Sequence, residues 1–247
     1  MKKLFTKAFL GVLAVGISTV AFAQEAAEAA APVEGGVHQA LKTKFIEGSA
    51  DFMSFVAIAL ILGLAFVLER IIYLNLADVN PNGMLSEIEA ALDRGDVDGA
   101  KAIARDTRGP IASIAYQGLM RIDQGIDVVE KSIVAYGGVQ SGLLEKNLSW
   151  ITLFIAMAPS LGFLGTVVGM IMAFDKIERV GDISPTVVAG GMKVALITTV
   201  GGLIVALILQ VFYNYLLSKL EAILNKMEDA SITLLDMVIK YNVKYKK

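Results

Sequence analysis

The chain is 247 residues long, 55% hydrophobic and only 19% charged, against about 25% charge in an ordinary soluble domain. This excludes a disordered chain and points to a membrane protein. Its 22 basic and 24 acidic residues nearly cancel, so there is no strong positive field for nucleic acid. With no cysteine and one histidine, disulfides, thiolate metal sites and histidine-rich metal centres are excluded, and no cofactor is expected.

Lys2, Lys3 and Lys7 form a basic start, residues 8–22 an apolar run, and Ala21-Phe22-Ala23 a small-residue cleavage pattern. Residues 1–23 therefore read as a secretory signal peptide. Residues 24–51, rich in Ala and Glu, read as an exported segment ending in a short helix over 37–46. His38 in that segment reads as a solvated bystander.

About 20 apolar residues are needed to cross a bilayer as a helix. Three stretches qualify: 52–76, 148–174 and 194–218. Only helices satisfy their own backbone groups in lipid, so the chain is expected to be all-α. Export of the mature N-terminus and three crossings place the C-terminus in the cytoplasm. The tail 219–247 carries Lys219, Lys226, Lys240, Lys244, Lys246 and Lys247, whereas 24–51 holds Lys42 and Lys44 against five acids. That asymmetry obeys the positive-inside rule. The segment 175–193 is then a short outer loop.

Residues 77–147 form a cytoplasmic insertion with helical apolar periodicity. Met84, Leu85, Ile88, Ala91 and Leu92 share one face; Val97, Ala100, Ile103 and Ala104 share the next; Ile111, Ile114, Ala115, Leu119 and Ile122 share a third. Gly95-Asp96, Gly109-Pro110 and Gln124-Gly125 separate the segments, and Asp96 suits a helix cap. The last segment is expected to run into the second span as one helix. The third span is expected to continue inward on Leu220, Ile223, Leu224, Met227, Ile232, Leu235 and Val238. The whole is a bundle of long helices reaching beyond the bilayer into the cytoplasm.

Pro159, Gly162, Thr166, Gly169 and Ala173 share one face of the second span, and Gly165-x-x-x-Gly169 is a close-packing pattern. Ala195, Thr199, Gly202 and Ala206 repeat the arrangement in the third. At 1.5 Å per residue, Thr166 lies about 12 Å from Phe174 and Thr199 about 9 Å from Lys193, so in antiparallel helices they come level. Two readings stand: a polar ring in a narrow cavity, or hydroxyls bonded to their own i−4 carbonyls in a packing seam. The second span holds no ionisable residue, and the third only Tyr213 and Tyr215. A proton carrier needs an acid or histidine inside the bilayer. This chain offers Glu69 at the inner membrane edge beside Arg70, where anchoring is favoured over relay. A partner must bring a central acid if protons move. No Ser/His pair, paired aspartates or metal cluster lies in the spans, so no enzymatic chemistry is expected.

The stretch Ala158-Pro159-Ser160-Leu161-Gly162-Phe163-Leu164-Gly165-Thr166-Val167-Val168-Gly169-Met170-Ile171 resembles the second-span signature of the MotA/TolQ/ExbB proton-channel family, and of its ExbB members in particular. Ala195-Leu196-Ile197-Thr198-Thr199-Val200-Gly201-Gly202-Leu203-Ile204 with Phe212-Tyr213-Asn214 resembles the third, and Glu69-Arg70, Gly95-Asp96 and Gly109-Pro110 add to it. The resemblance covers roughly residues 50–240. It implies a homopentamer in the bacterial inner membrane, with the second and third spans around a central pore. An ExbD-like dimer would thread that pore with the proton-carrying acid, and a TonB-like protein would receive the work for outer-membrane import. Thr166 and Thr199 align with the family's pore-lining threonines, and Thr198 beside them is grouped on the same path. The glutamate that many relatives carry five residues before the third-span threonine is Val194 here, preceded by Lys193. The competing readings are a TolQ-like or MotA-like output, or a membrane scaffold without proton flow.

Overall fold

The computed structural model describes residues 37–181 and 185–245. The signal-peptide reading, the linker before residue 37, Asp182, Lys246 and Lys247 lie outside them. The chain divides into two units, Met1–Glu47 and Gly48–Lys247. Of the first, the described part is helix α1, Val37–Glu47, where Lys44 bonds Glu47 one turn on at 2.9 Å.

The second unit is all helix among the described residues. Its elements are α2 (Ala50–Ala77), α3 (Asn82–Asp93), α4 (Val97–Asp106), α5 (Pro110–Leu119), a 3₁₀ turn (Ile122–Gln124), α6 (Ile126–Glu145), α7 (Leu148–Val180) and α8 (Pro185–Tyr245). Three helical stretches are long and apolar enough to cross a membrane. They contain α2, α7 and the first half of α8. They coincide with the three apolar runs read above.

Sequence chemistry sets the breaks in the insertion. Asp96 accepts from Gly99 N at 2.8 Å and starts α4, and Pro110 stands in the first turn of α5, where its missing N–H costs nothing. The apolar faces read from the insertion turn inward. Met84, Leu85, Ile88, Ala91, Leu92, Ala100, Ala104, Ile111, Ile114, Ala115, Leu119 and Ile122 are all buried, with Val97 and Ile103 partly so. They close on the far half of α8.

Three details depart from the sequence reading. First, α6 and the second span are two helices. Lys146 is extended and Asn147 is left-handed (φ 67°), a conformation that Asn tolerates better than most residues. Second, most of 175–193 is helical. α7 continues to Val180, where left-handed Gly181 donates to Ile177 O at 2.9 Å, and α8 already starts at Pro185. Third, Ile232 is exposed while Ala230, Leu234 and Met237 are buried. Along α8, Ala195, Gly202, Leu209, Leu216, Ile223, Ala230 and Met237 recur every seventh position, all buried. A strict seven-residue seam is the mark of helices wound about one another with a left-handed twist.

A second set of contacts ties α8 to α2 and α3. Lys219 bonds Asn75 at 2.5 Å and Lys226 bonds Asp78 at 2.6 Å. Lys240 bonds Glu89 at 3.1 Å, and Lys244 and the Tyr245 hydroxyl both donate to Asp93 O at 2.8 Å. Four of the tail lysines are thus engaged within the chain.

Candidate functional site

The site is the seam between α7 and α8. Small residues bring the two backbones into contact: a Cβ at Gly162 would lie 2.8 Å from Thr198 O, and one at Gly202 2.5 Å from Ala158 O. No other residue type fits at such distances. Gly165 faces the Thr198 side chain, and Gly169 the Ala195 backbone, in the same way. Ala195 is buried in the seam, Pro159 and Ala206 are half-buried at its edges.

The close approach sets Thr166 against Thr199. Their Oγ1 atoms are hydrogen-bonded to each other. Two carbonyls flank the pair. Thr166 Oγ1 lies 3.1 Å from Ala195 O and 3.3 Å from Gly162 O, and Thr199 Oγ1 lies 3.4 Å from Gly162 O. Each hydroxyl has one proton and two lone pairs. In one arrangement Thr199 donates to Thr166, which donates to Ala195 O. In the other Thr166 donates to Thr199, which donates to Gly162 O. Both leave every donor satisfied, so the pair can reverse its polarity without breaking the seam. Both residues stay half-exposed. The i−4 bond of Thr166 to Gly162 O is present, whereas Thr199 reaches across the seam to that same carbonyl.

Thr198 is placed differently from its neighbour. It is fully buried against Gly165, and its hydroxyl donates to Ala195 O at 2.8 Å. This side chain fills the seam and has no surface facing away from it.

Glu69 and Arg70 lie in the inner part of α2, against the joint between α6 and α7. Arg70 is 2% exposed. Its Nε donates to Glu69 Oε2 at 2.6 Å, its Nη2 to Glu69 Oε1, and its Nη1 reaches Leu143 O at 3.5 Å. The guanidinium carbon lies 4.4 Å over the Tyr73 ring. Asn147 Nδ2 donates to Glu69 Oε2 at 3.3 Å. Close by, Trp150 stacks on Phe66 at 5.9 Å. The anchoring reading of Glu69 and Arg70 fits this network, which reaches two groups that sequence reasoning missed, Asn147 and the Leu143 carbonyl. The only sequence signal was an asparagine in an otherwise helical run. Among the described residues no cluster of acids and histidine is placed to hold a metal.

The family model described as the MotA/TolQ/ExbB proton channel family matches residues 106–229, half of the chain. The chain belongs to that family. The matched stretch runs from α4 through the threonine seam to the far part of α8. Among curated proteins, the chain is similar to a putative biopolymer transport protein ExbB homolog of Methanothermobacter thermautotrophicus, 28% identical over 68% of this chain and 60% of the relative. It is also similar to biopolymer transport protein exbB1 of Vibrio cholerae, 36% identical over 33% of this chain and 39% of the relative. A third is biopolymer transport protein ExbB of Aquifex aeolicus, 36% identical over 32% and 53%. The chain thus spans less than two thirds of the length of these relatives. Membership of the MotA/TolQ/ExbB family, with the three apolar helices, makes this a multi-pass inner-membrane protein. This family is a class of channels, not of enzymes.

Proposed function

We propose that this chain is the proton-channel subunit of an energy-transducing complex, in which it assembles as a pentamer around an ExbD-like dimer and drives a TonB-like protein for nutrient import. The observation that carries the reading is the Thr166–Thr199 pair, two hydroxyls in contact across the α7–α8 seam with an acceptor carbonyl on each side. Hydroxyls can hand a proton along a hydrogen-bonded line, but they cannot hold a charge. Residues 148–174 carry no ionisable group, so the partner supplies the acid. Val194, in place of the glutamate found in many relatives, fits the same division of labour. A membrane potential provides about 2.3 kcal/mol per charge per 100 mV.

Several features support the assembly and its orientation. Val134, Val139, Ile232 and Val243 are exposed apolar residues on the insertion and the far end of α8. A second copy of the chain would cover them. Trp150 and Tyr73 sit where interfacial aromatics are expected, on the side from which the insertion extends. We place that side in the cytoplasm, with the N-terminus in the periplasm after removal of the signal peptide. The relatives named as biopolymer transport proteins favour a TonB-type output over the TolQ-like and MotA-like alternatives.

The test is Thr199→Val, which keeps side-chain shape and removes the hydroxyl. The variant is co-expressed with the ExbD-like subunit, and energy-dependent uptake through an outer-membrane receptor is followed alongside assembly. Assembly kept and uptake lost is the expected result. Normal uptake would make Thr199 a packing residue and would leave the scaffold reading standing.

A further inference from the structure

A groove of 670 Å³ lies between the start of α7 and the middle of α8, on the side of the threonine seam from which the insertion extends. Its floor is apolar, with Leu217 and Leu224; Thr152 and Tyr213 line its upper end; Glu145 and Glu221 stand on opposite sides of it. Leu217 lies eighteen residues beyond Thr199, five helical turns, and so on the same face about 27 Å further along. Thr152 stands in the same relation to Thr166, close to four turns back.

Neither acid here is paired to a cation among the described residues, although Lys146 follows Glu145 in the chain. Glu145 accepts a single 3.4 Å bond from Ser141. The nearest lysines of α8 are committed elsewhere, since Lys219 and Lys226 both pair with Asp78. A leucine floor flanked by two carboxylates without an ion pair fits an apolar helix that turns cationic at that level. Transmembrane helices have that chemistry on their inner side, where Lys and Arg accumulate. Glu145 lies five residues before interfacial Trp150, at the depth where such a flank leaves the lipid.

We propose that this groove seats the inner flank of the partner's transmembrane helix, with Glu145 and Glu221 paired to its Lys or Arg residues. The inference rests on the proposed function, because the occupant is the ExbD-like subunit that reading calls for. The two carboxylates thus fix the depth of the partner, and with it the level at which its acid meets Thr166 and Thr199.

The experiment measures retention of the partner, not transport. The chain carrying both Glu145→Lys and Glu221→Lys is co-expressed with the ExbD-like subunit, and the copurified partner is quantified. The double Gln variant and Glu228→Lys, an exposed acid elsewhere on α8, serve as controls of fold and of general charge. Because the chain has no cysteine, Ser149→Cys and Leu217→Cys also allow disulfide trapping against single cysteines along the partner's inner flank. We expect the reversal to reduce the retained partner at least tenfold and Gln to reduce it less. Glu228→Lys should leave it unchanged, and acids placed on the partner's flank should restore the reversed chain. Unchanged retention by the reversed chain would overturn the proposal. So would disulfides that join only two copies of this chain, which would make the groove a subunit interface. Either result leaves the threonine reading intact. A native chain that retains no partner would remove both.

Discussion

The Arg70 guanidinium reaches Leu143 O at 3.5 Å, tying α2 to the last turn of α6 just before the chain breaks at Asn147. A helix end leaves its final carbonyls without intrahelical partners, and a buried arginine supplies a donor for one of them. The same guanidinium grips Glu69, which in turn holds the Asn147 side chain. Two adjacent residues of α2 therefore brace both sides of the joint between α6 and α7.

Removing Arg70 should loosen that joint. Breaking a buried pair costs about 3–5 kcal/mol, but Glu69 is nearly half exposed, so Arg70→Ala is expected to cost about 1–3 kcal/mol. Arg70→Lys should recover only part, because an ammonium cannot match the planar fork that engages two oxygens and a carbonyl. Thermal unfolding of the complex in detergent, with Glu69→Gln as the partner variant of a double-mutant cycle, checks both. Equal melting of Arg70→Lys and the native protein would refute the bracing role.

Asn147 carries a second, separable contribution. Its left-handed backbone disfavours alanine by about 1–2 kcal/mol, whereas glycine adopts it freely. Asn147→Ala is expected to destabilise more than Asn147→Gly, although both lose the bond to Glu69. The difference in unfolding midpoint reads the backbone effect alone.

Thr198 and Thr199 make a neighbouring pair with opposite expectations. Thr198→Val removes one buried hydrogen bond, worth about 1 kcal/mol, and should leave uptake intact. Thr199→Val should have a similar small effect on stability and abolish uptake, while Thr166→Ser, which keeps a hydroxyl, should retain most of it. Parallel uptake and melting measurements on the three variants separate packing from conduction.

The glycines also divide cleanly. Gly202→Ala places a methyl 2.5 Å from Ala158 O; backbone cannot yield as a side chain can, so about 1–3 kcal/mol of overpacking strain is expected. The helices must part, and the threonine contact should weaken with them. Gly138→Ala in α6 meets nothing within 4 Å and should instead be neutral or stabilising by about 0.5–1 kcal/mol. Melting of the two variants in opposite directions is the expected outcome.

Much of this architecture was legible because membrane helices announce themselves by length and apolar content, and the insertion helices by their buried faces. The level meeting of Thr166 and Thr199 followed from rise per residue alone. Other features were hidden for specific reasons. A 3.6-residue stripe drifts by about 20° per heptad from a 3.5-residue seam, so extrapolating it along α8 selected Ile232 where the structure buries Ala230 and Leu234. The joint at Asn147 is tied to Glu69, 78 positions away, a contact that no local pattern contains. Thr198 and Thr199 are chemically identical neighbours, and only the 100° between successive helical residues sends one into the seam and the other to its edge. Three of the tail lysines that argued for orientation, Lys219, Lys226 and Lys240, are paired with Asp78, Glu89 and Asp93, a pairing visible only once the fold brings them together.

The 61 residues of α8 run without interruption from Pro185 to Tyr245, about 90 Å at 1.5 Å per residue, while the antiparallel strand of the bundle is hinged at Asn147. A stiff shaft thus lies beside a jointed one, and the two share the threonine contact. Were a proton step to twist the chain at Thr199, as the proposed function requires, α8 would offer no break in its helix before Tyr245 along which that twist would be lost. On the jointed side the break at Asn147 is held by Glu69 and Arg70, so the same twist would load that network. The unbroken helix is thus the direct line from the threonine contact to the far end of the bundle, and its neighbour reaches that end only through a braced joint.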